Sequence, residues 1–345
     1  MSNTNSNSAA AALPPHAQIV QMASAHVIAK GIYAVAELGI ADHLKDGART
    51  ADELAQAIGA HADSLHRLMR SMAGFGLFVE DAERRFSLTP LGAALQSDAP
   101  GYARSAVRML AGPWMWQATG ELIHSAKTGE TGMEKAFGRG VFEHLGDAPE
   151  QATIFNEAMI GFHGLEPPAV AAAYDFSGIE KLVDVGGGTG NLLTTILQAN
   201  PELKGLLYDL PHVAGEARQQ IETKGLSARC EVAEGSFFES VPSGGDAYLM
   251  SHIIHDWDEQ KCVQILENCR KAMNGRGKLL LVEMVIPQGN DFHPSKLLDM
   301  VMLSVTGGKE RTAEEYAALF EKAGFRLTRI VPTESPVSVI EAVPV

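Results

Sequence analysis

At 345 residues the chain exceeds one ordinary core and suits two domains. Its 46% hydrophobic content excludes wholesale disorder, and a net charge of −14 disfavours nucleic acid as a partner. The three cysteines, Cys230, Cys262 and Cys269, lack C-x-x-C spacing, which points to reduced thiols in the cytoplasm.

Residues 1–15, rich in Ser, Asn and Ala with no basic start, read as a flexible tail and not a signal peptide. No apolar run reaches the roughly 18 residues that span a bilayer, so no membrane is expected. Residues 16–39 alternate at helical period and stop at Gly39. Thr50-Ala-Asp-Glu53 is a capping box opening a short helix that ends near Gly59. Asp63 and Ser64 are candidates to cap the next helix, where Leu65, Leu68, Met69 and Met72 form one buried face. Leu77–Val79 and Phe86–Leu88 read as short strands around a polar turn. Residues 16–100 therefore predict a winged-helix domain. Between 50 and 90, four arginines stand against six acids, which favours dimerisation over DNA reading.

Residues 101–178 predict a helical linker that also lines a substrate pocket. Trp114, Met115 and Trp116, and later Phe155–Ile160, suit core packing and an apolar pocket wall equally. From 179 to 345 strands and helices alternate. Strands are expected at 181–186, 204–209, 228–233, 246–252, 278–285, 325–332 and 337–343, with helices at 190–200, 212–223, 258–272 and 312–323. This predicts an α/β, Rossmann-like, mostly parallel sheet. The connection between the last two strands is too short for a parallel crossover, so that pair is antiparallel.

The densest local signal is Leu182-Val-Asp-Val-Gly-Gly-Gly-Thr-Gly-Asn191. A buried strand ending in Asp184 leads into a turn of Gly186, Gly188 and Gly190, and then a helix. Glycines let a ligand approach the backbone, and the helix start offers unpaired N–H groups. The dinucleotide fingerprint fails because Asn191 stands where its third glycine belongs. A second apolar strand ends in Asp209, placed to hold both ribose hydroxyls. Ribose without phosphates, facing acids, fits the nucleoside cation S-adenosyl-L-methionine.

The second signal is Asp246-Ala-Tyr-Leu-Met-Ser-His-Ile-Ile-His255-Asp-Trp-Asp258. His255 follows a strand in the loop expected to lie over the cofactor, where an imidazole can accept a proton near neutral pH. Metal ligation is the lesser reading, because H-x-x-H lacks the i, i+4 spacing of a helical zinc pair. His252 reads as a satisfied core histidine. Glu283 is expected to end the next strand. Glu310, in Gly307-Gly-Lys-Glu-Arg-Thr312, suits either a partner for His255 or a surface ion pair with Lys309 or Arg311.

Together, Val183-Asp-Val-Gly-Gly-Gly-Thr-Gly190, Asp209-Leu-Pro-His212, Gly235-Ser-Phe-Phe238, His255-Asp-Trp257, Glu283 and Gly307-Gly-Lys-Glu-Arg311 are specific. Over nearly its whole length the chain resembles small-molecule O-methyltransferases of the caffeate/hydroxyneurosporene type. The resemblance implies an N-terminal winged-helix domain that forms a homodimer. It implies His255 as catalytic base, with Glu283 and Glu310 flanking it. Cofactor contacts are implied from Gly186, Asp209, Phe237 and Trp257, and the set extends to Asp184, Gly188, Gly190, Leu210, Ser236 and Ser251. Met159 and Met302 resemble methionines that clamp the acceptor ring, and Trp116, Phe162 and His163 complete the candidate acceptor set. No metal is expected. Ser236 and Ser251 replace an Asp and a Lys of plant members, which implies a bacterial secondary metabolite as acceptor. The expected reaction is in-line methyl transfer to a hydroxyl, with a phenolic one expected. The alternatives are N- or C-methylation, a metal-dependent catechol methyltransferase, or a winged-helix regulator with a metabolite-sensing domain.

Overall fold

The structure, a computed structural model, describes residues 13–345. Residues 1–12 of the expected tail lie outside it, and the first helix already begins at Pro15. Two compact units emerge: residues up to Gly112 with Thr153–Gly161, and Pro113–Ala152 with Phe162–Val345.

The first unit opens with α1 (Pro15–Glu37) and α2 (Ile40–His43), separated by Gly39 in the left-handed region. After β1 (Arg49–Thr50), α3 (Ala51–Ile58) starts on the expected capping box. The Thr50 hydroxyl accepts from the Glu53 amide at 3.2 Å, and the Glu53 carboxylate accepts from the Thr50 amide at 2.7 Å. In α4 (Ala62–Ala73) the expected cap is corrected. His61 caps the helix by accepting from the Ser64 amide at 3.3 Å, while Asp63 and Ser64 lie inside its first turn. Imidazole Nδ1 sits at the same reach from Cβ as the oxygen of an Asn cap, so it does the same work.

The wing, β2 (Phe78–Glu80) and β3 (Arg85–Leu88), gains β1 as a third strand, in the order β1-β3-β2. Then come α5 (Pro90–Ala93) and α6 (Ala103–Leu110). Leu54, Leu65, Met69, Phe78 and Phe86 form the core, each contributing about 1.5–3 kcal/mol by burial. By length and composition α1 is apolar enough to cross a bilayer, with mean hydropathy 1.3 over its best window, but a single such helix does not by itself make a membrane span. Scattered His, Gln and Ser residues broke the continuous run sought in the sequence, yet alanines and aliphatics between them keep the average high. Ile19, Val20, Met22 and Val27 on it are exposed.

The second unit begins with short helices: α7 (Pro113–Gly120), α8 (Leu122–Thr128), α9 (Gly132–Phe137) and α10 (Val141–Gly146). Next come α11 (Pro149–His163), whose middle turns group with the first unit, and α12 (Glu166–Ala173). The sheet follows: β4 (Lys181–Val185), α13 (Asn191–Ala199), β5 (Lys204–Asp209), α14 (Pro211–Thr223), β6 (Cys230–Glu234) and β7 (Ala247–Ser251). It continues through α15 (Glu259–Met273), β8 (Lys278–Ile286), α16 (Pro294–Val305), β9 (Arg311–Thr312), α17 (Ala313–Lys322), β10 (Phe325–Pro332) and β11 (Val337–Pro344).

Strand order is β10-β11-β8-β7-β4-β5-β6, with β9 beside β8. The strands from β8 to β6 run parallel, and β10, β11 and β8 pair antiparallel, as the short last connection required. Alternation sends Leu279 and Leu281 to one face, with Ile265 and Phe320, and Leu280 and Val282 to the other, with Leu193 and Ile196. Chain order reverses between β4 and β7, so their following loops open a crevice at one edge. Two details depart from expectation. Glu283 lies inside β8, which runs on to Ile286, and α16 was not anticipated.

Candidate active site at the switch point

The turn after β4 takes three left-handed glycines, Gly186, Gly188 and Gly190 at φ +74°, +57° and +81°. Any side chain there is strained. The turn is packed behind and open in front. A Cβ on Gly186 would lie 2.6 Å from Ile253 Cδ1, and one on Gly190 2.8 Å from Leu207 Cδ1, whereas one on Gly188 would meet nothing within 4 Å. Asp209 reaches across from β5 and accepts from the Gly188 amide at 2.8 Å and the Leu210 amide at 2.6 Å. Each carboxylate oxygen keeps a further lone pair for a diol. Asp184 is buried behind the turn, and burial, then the Asp209 charge, lifts its pKa to about 7. An open glycine face between acids fits a nucleoside that brings positive charge.

The neighbouring loop carries the rest. Phe237 and Phe238 pack edge-on to Trp257, and the Ser236 hydroxyl accepts from the Phe238 amide at 3.3 Å. Ser251 ends β7 and is half-buried, while Leu210 is exposed.

His255 sits in a 3-10 turn, Ile254–Asp256, and is buried. Its Nδ1–H donates to Glu310 at 2.7 Å, so Nε2 is the nitrogen that can exchange a proton. Glu283 stands 3.7 Å from the same Nδ1, and Asp256 3.7 Å from Nε2. The two glutamates thus share one side of the ring instead of flanking it. Glu283 also accepts from the Ile253 and Ile254 amides at 3.1 and 2.9 Å, so it fixes the loop as well as the charge. The surface ion-pair reading of Glu310 fails. Its side chain is buried, Lys309 pairs with Glu315, and Arg311 turns inward to the Ile254 carbonyl.

A base titrating near neutrality was expected, and this too is corrected. Burial pulls the His255 pKa down, but Glu283, Asp256 and Glu310 together outweigh it and raise the pKa to about 10.

His252 is not a satisfied core residue. Its backbone is left-handed at φ +54°, and its Nε2–H donates to buried Glu166 at 2.8 Å. Its Nδ1 is buried without a partner among the described residues. His163 stacks on it at 3.9 Å and 8°, and the His255 ring is 5.2 Å away. Burial, then the His252 and His255 charges, push His163 down to about 2, so it stays neutral. His163, Glu166 and His252 are close enough for a metal ion. However, an ion bound in the plane of one ring cannot lie in the plane of another stacked parallel to it, so the geometry speaks for hydrogen bonding.

Sequence reasoning missed this cluster and missed Asp299 on α16, which accepts from the Glu310 amide at 2.9 Å. The His163-x-x-Glu166 spacing was the one available signal. Among the other acceptor candidates, Met302 on α16 is buried, Trp116 on α7 is half-buried, and α7 packs on α16. Trp114 and Met115 are core. Phe162 is exposed, and Met159 lies half-buried in the first unit.

Known proteins identify the family. The family model for the O-methyltransferase domain matches residues 116–326, and that for the O-methyltransferase dimerisation domain matches residues 20–98. The chain is 41% identical to the phenazine O-methyltransferase PhzM of Lysobacter antibioticus, over 98% of this chain and 99% of that one. It is 33% identical to the phenazine-1-carboxylate N-methyltransferase of Pseudomonas aeruginosa, covering 95% of each. A solved O-methyltransferase from neocarzinostatin biosynthesis, in complex with S-adenosylmethionine and 2-hydroxy-5-methyl naphthoic acid, superposes with a TM-score of 0.82 at 35% identity, over 92% of this chain and 96% of that one. The chain belongs to the O-methyltransferase family, as an enzyme that uses S-adenosylmethionine and carries the family's dimerisation domain.

Proposed function

We propose that the protein methylates a phenolic hydroxyl of a small secondary metabolite, with His255 as general base. The bond from Nδ1 to Glu310 carries this reading, because it fixes the tautomer whose Nε2 can take the hydroxyl proton. Bound S-adenosylmethionine supplies an electrophilic methyl group. Gly186, Gly188, Gly190 and Asp209 hold the nucleoside, Phe237 and Trp257 enclose it, and His255 draws off the proton as the acceptor oxygen attacks. Phenols titrate near 10, so a base hydrogen-bonded to the hydroxyl lowers the barrier, by about 10²–10⁴ in rate for such catalysis. Met302, Trp116, Phe162 and His163 are the acceptor candidates of the second unit.

The test is transfer of labelled methyl to a panel of phenols, naphthols and hydroxyphenazines by wild type and His255→Asn. Loss of turnover with S-adenosylhomocysteine binding retained supports the base. Undiminished turnover refutes it.

N-methylation is the second reading, favoured by the 33% identical N-methyltransferase. Turnover of an aromatic amine by His255→Asn would select it. We further propose a homodimer through the domain spanning 20–98, to which the exposed Val20, Met22 and Val27 of α1 belong. Light scattering showing a monomer at micromolar concentration would refute it. Three buried free thiols agree with a cytoplasmic location.

A further inference from the structure

Three carboxylates crowd His255, two of them, Glu283 and Glu310, buried and the third, Asp256, partly exposed. Glu310 accepts its Nδ1 proton, Glu283 lies behind that nitrogen and Asp256 lies near Nε2. Glu283 Oε2 and Glu310 Oε2 are buried with no hydrogen-bond partner among the described residues. Such acids need a positive charge nearby.

The other groups facing the ring supply less of it. Arg311 directs its guanidinium at the Ile254 and Lys309 carbonyls and Cys262 Sγ. His252 is engaged by Glu166 and acts on Glu283 and Asp256 less than His255 does, and His163 is neutral. Burial keeps the Tyr316 hydroxyl and the Cys262 thiol protonated and uncharged. Asp299, on α16, adds a further acid. His255 is the foremost cation among the carboxylates.

The cofactor site opens at the same edge. Ile253, two residues before His255, fills the space behind Gly186, and Trp257, two residues after it, packs on Phe237.

We propose that this pocket holds one positive charge at a time, a proton on His255 in the cofactor-free protein and the sulfonium once the cofactor binds, so that cofactor binding strips His255 of its proton and creates the base. The inference rests on the reading of His255 as base, and it explains how a histidine lifted to about 10 accepts a proton near neutrality. Charge balances through the reaction. The acceptor oxygen bonds the methyl carbon, the carbon–sulfur pair stays on sulfur, and the hydroxyl proton moves to His255 Nε2. Positive charge leaves sulfur as it reaches the imidazole.

By linkage, proton and sulfonium oppose each other's binding equally. The test is titration calorimetry of the full chain with S-adenosylmethionine and, separately, S-adenosylhomocysteine, in phosphate and in Tris near pH 8. The two ligands share every titrating group except the sulfonium charge. S-adenosylmethionine should release close to one proton more than S-adenosylhomocysteine, and its relative affinity should rise up to about tenfold per pH unit between pH 7 and 9. His255→Asn should abolish the difference, and His252→Asn should keep it. Equal proton release by the two ligands, or a pH-independent affinity ratio in wild type, overturns the proposal. Failure of the base reading shows separately, as turnover by His255→Asn.

Discussion

Asp209 accepts a hydrogen bond from the Gly188 amide at 2.8 Å, so the acid we propose holds ribose also clamps the glycine turn. Asp209→Ala should lose both roles and weaken cofactor binding by about 10–100-fold, the scale of one or two charge-assisted hydrogen bonds. Asp209→Asn keeps an acceptor for Gly188 and should lose less. Calorimetry giving both variants wild-type affinity would remove Asp209 from the site.

Glu310 holds the imidazole by one short bond, so the role we propose for it is positional. Glu310→Gln should lower kcat by about 10–100-fold while leaving S-adenosylhomocysteine affinity near wild type. The pH profile should also move, because removing one carboxylate weakens the hold on the His255 proton. A variant with unchanged kcat and profile would show that Glu283 suffices.

A Cβ on Gly308 would lie 1.9 Å from the His255 carbonyl oxygen. Gly308→Ala must therefore push apart the two loops that carry His255 and Glu310. We expect a loss of about 1–3 kcal/mol in stability, as for overpacking, and a fall in kcat beyond that of Glu310→Gln. A melting temperature equal to wild type would mean that the loops separate freely.

Asp184 tests the pH dependence of folding. Its pKa is about 7 in the folded protein against the ordinary 3.8, so across that window the fold retains a proton that the unfolded chain has released. Its stabilising contribution is complete below about pH 4 and is lost as pH rises through 7. Asp184→Asn should thus gain melting temperature relative to wild type from pH 5 to pH 8. A constant difference across that range would contradict the shift.

The sheet and the glycine turn were legible because their signals are local: apolar runs, glycines at fixed spacing, an acid at the end of β5. His255 was legible for the same reason. The start of α16 was hidden because His293 caps it, accepting from Ser295, and His61 likewise stands in at α4. Neither position reads as a cap by residue type. Glu310 was ambiguous because Lys309 and Arg311 flank it, and only the folded chain shows both cations turned elsewhere. The stack of His163 on His252 joins α11 to the loop after β7, a pairing no sequence period encodes.

Glu283 faces Ser338 across the antiparallel pair of β8 and β11. The strand that pairs with β8 at this acid is therefore translated long after the acid itself. On a nascent chain the parallel strands can assemble while one edge of β8 is still bare, and that edge closes only when the final hairpin arrives.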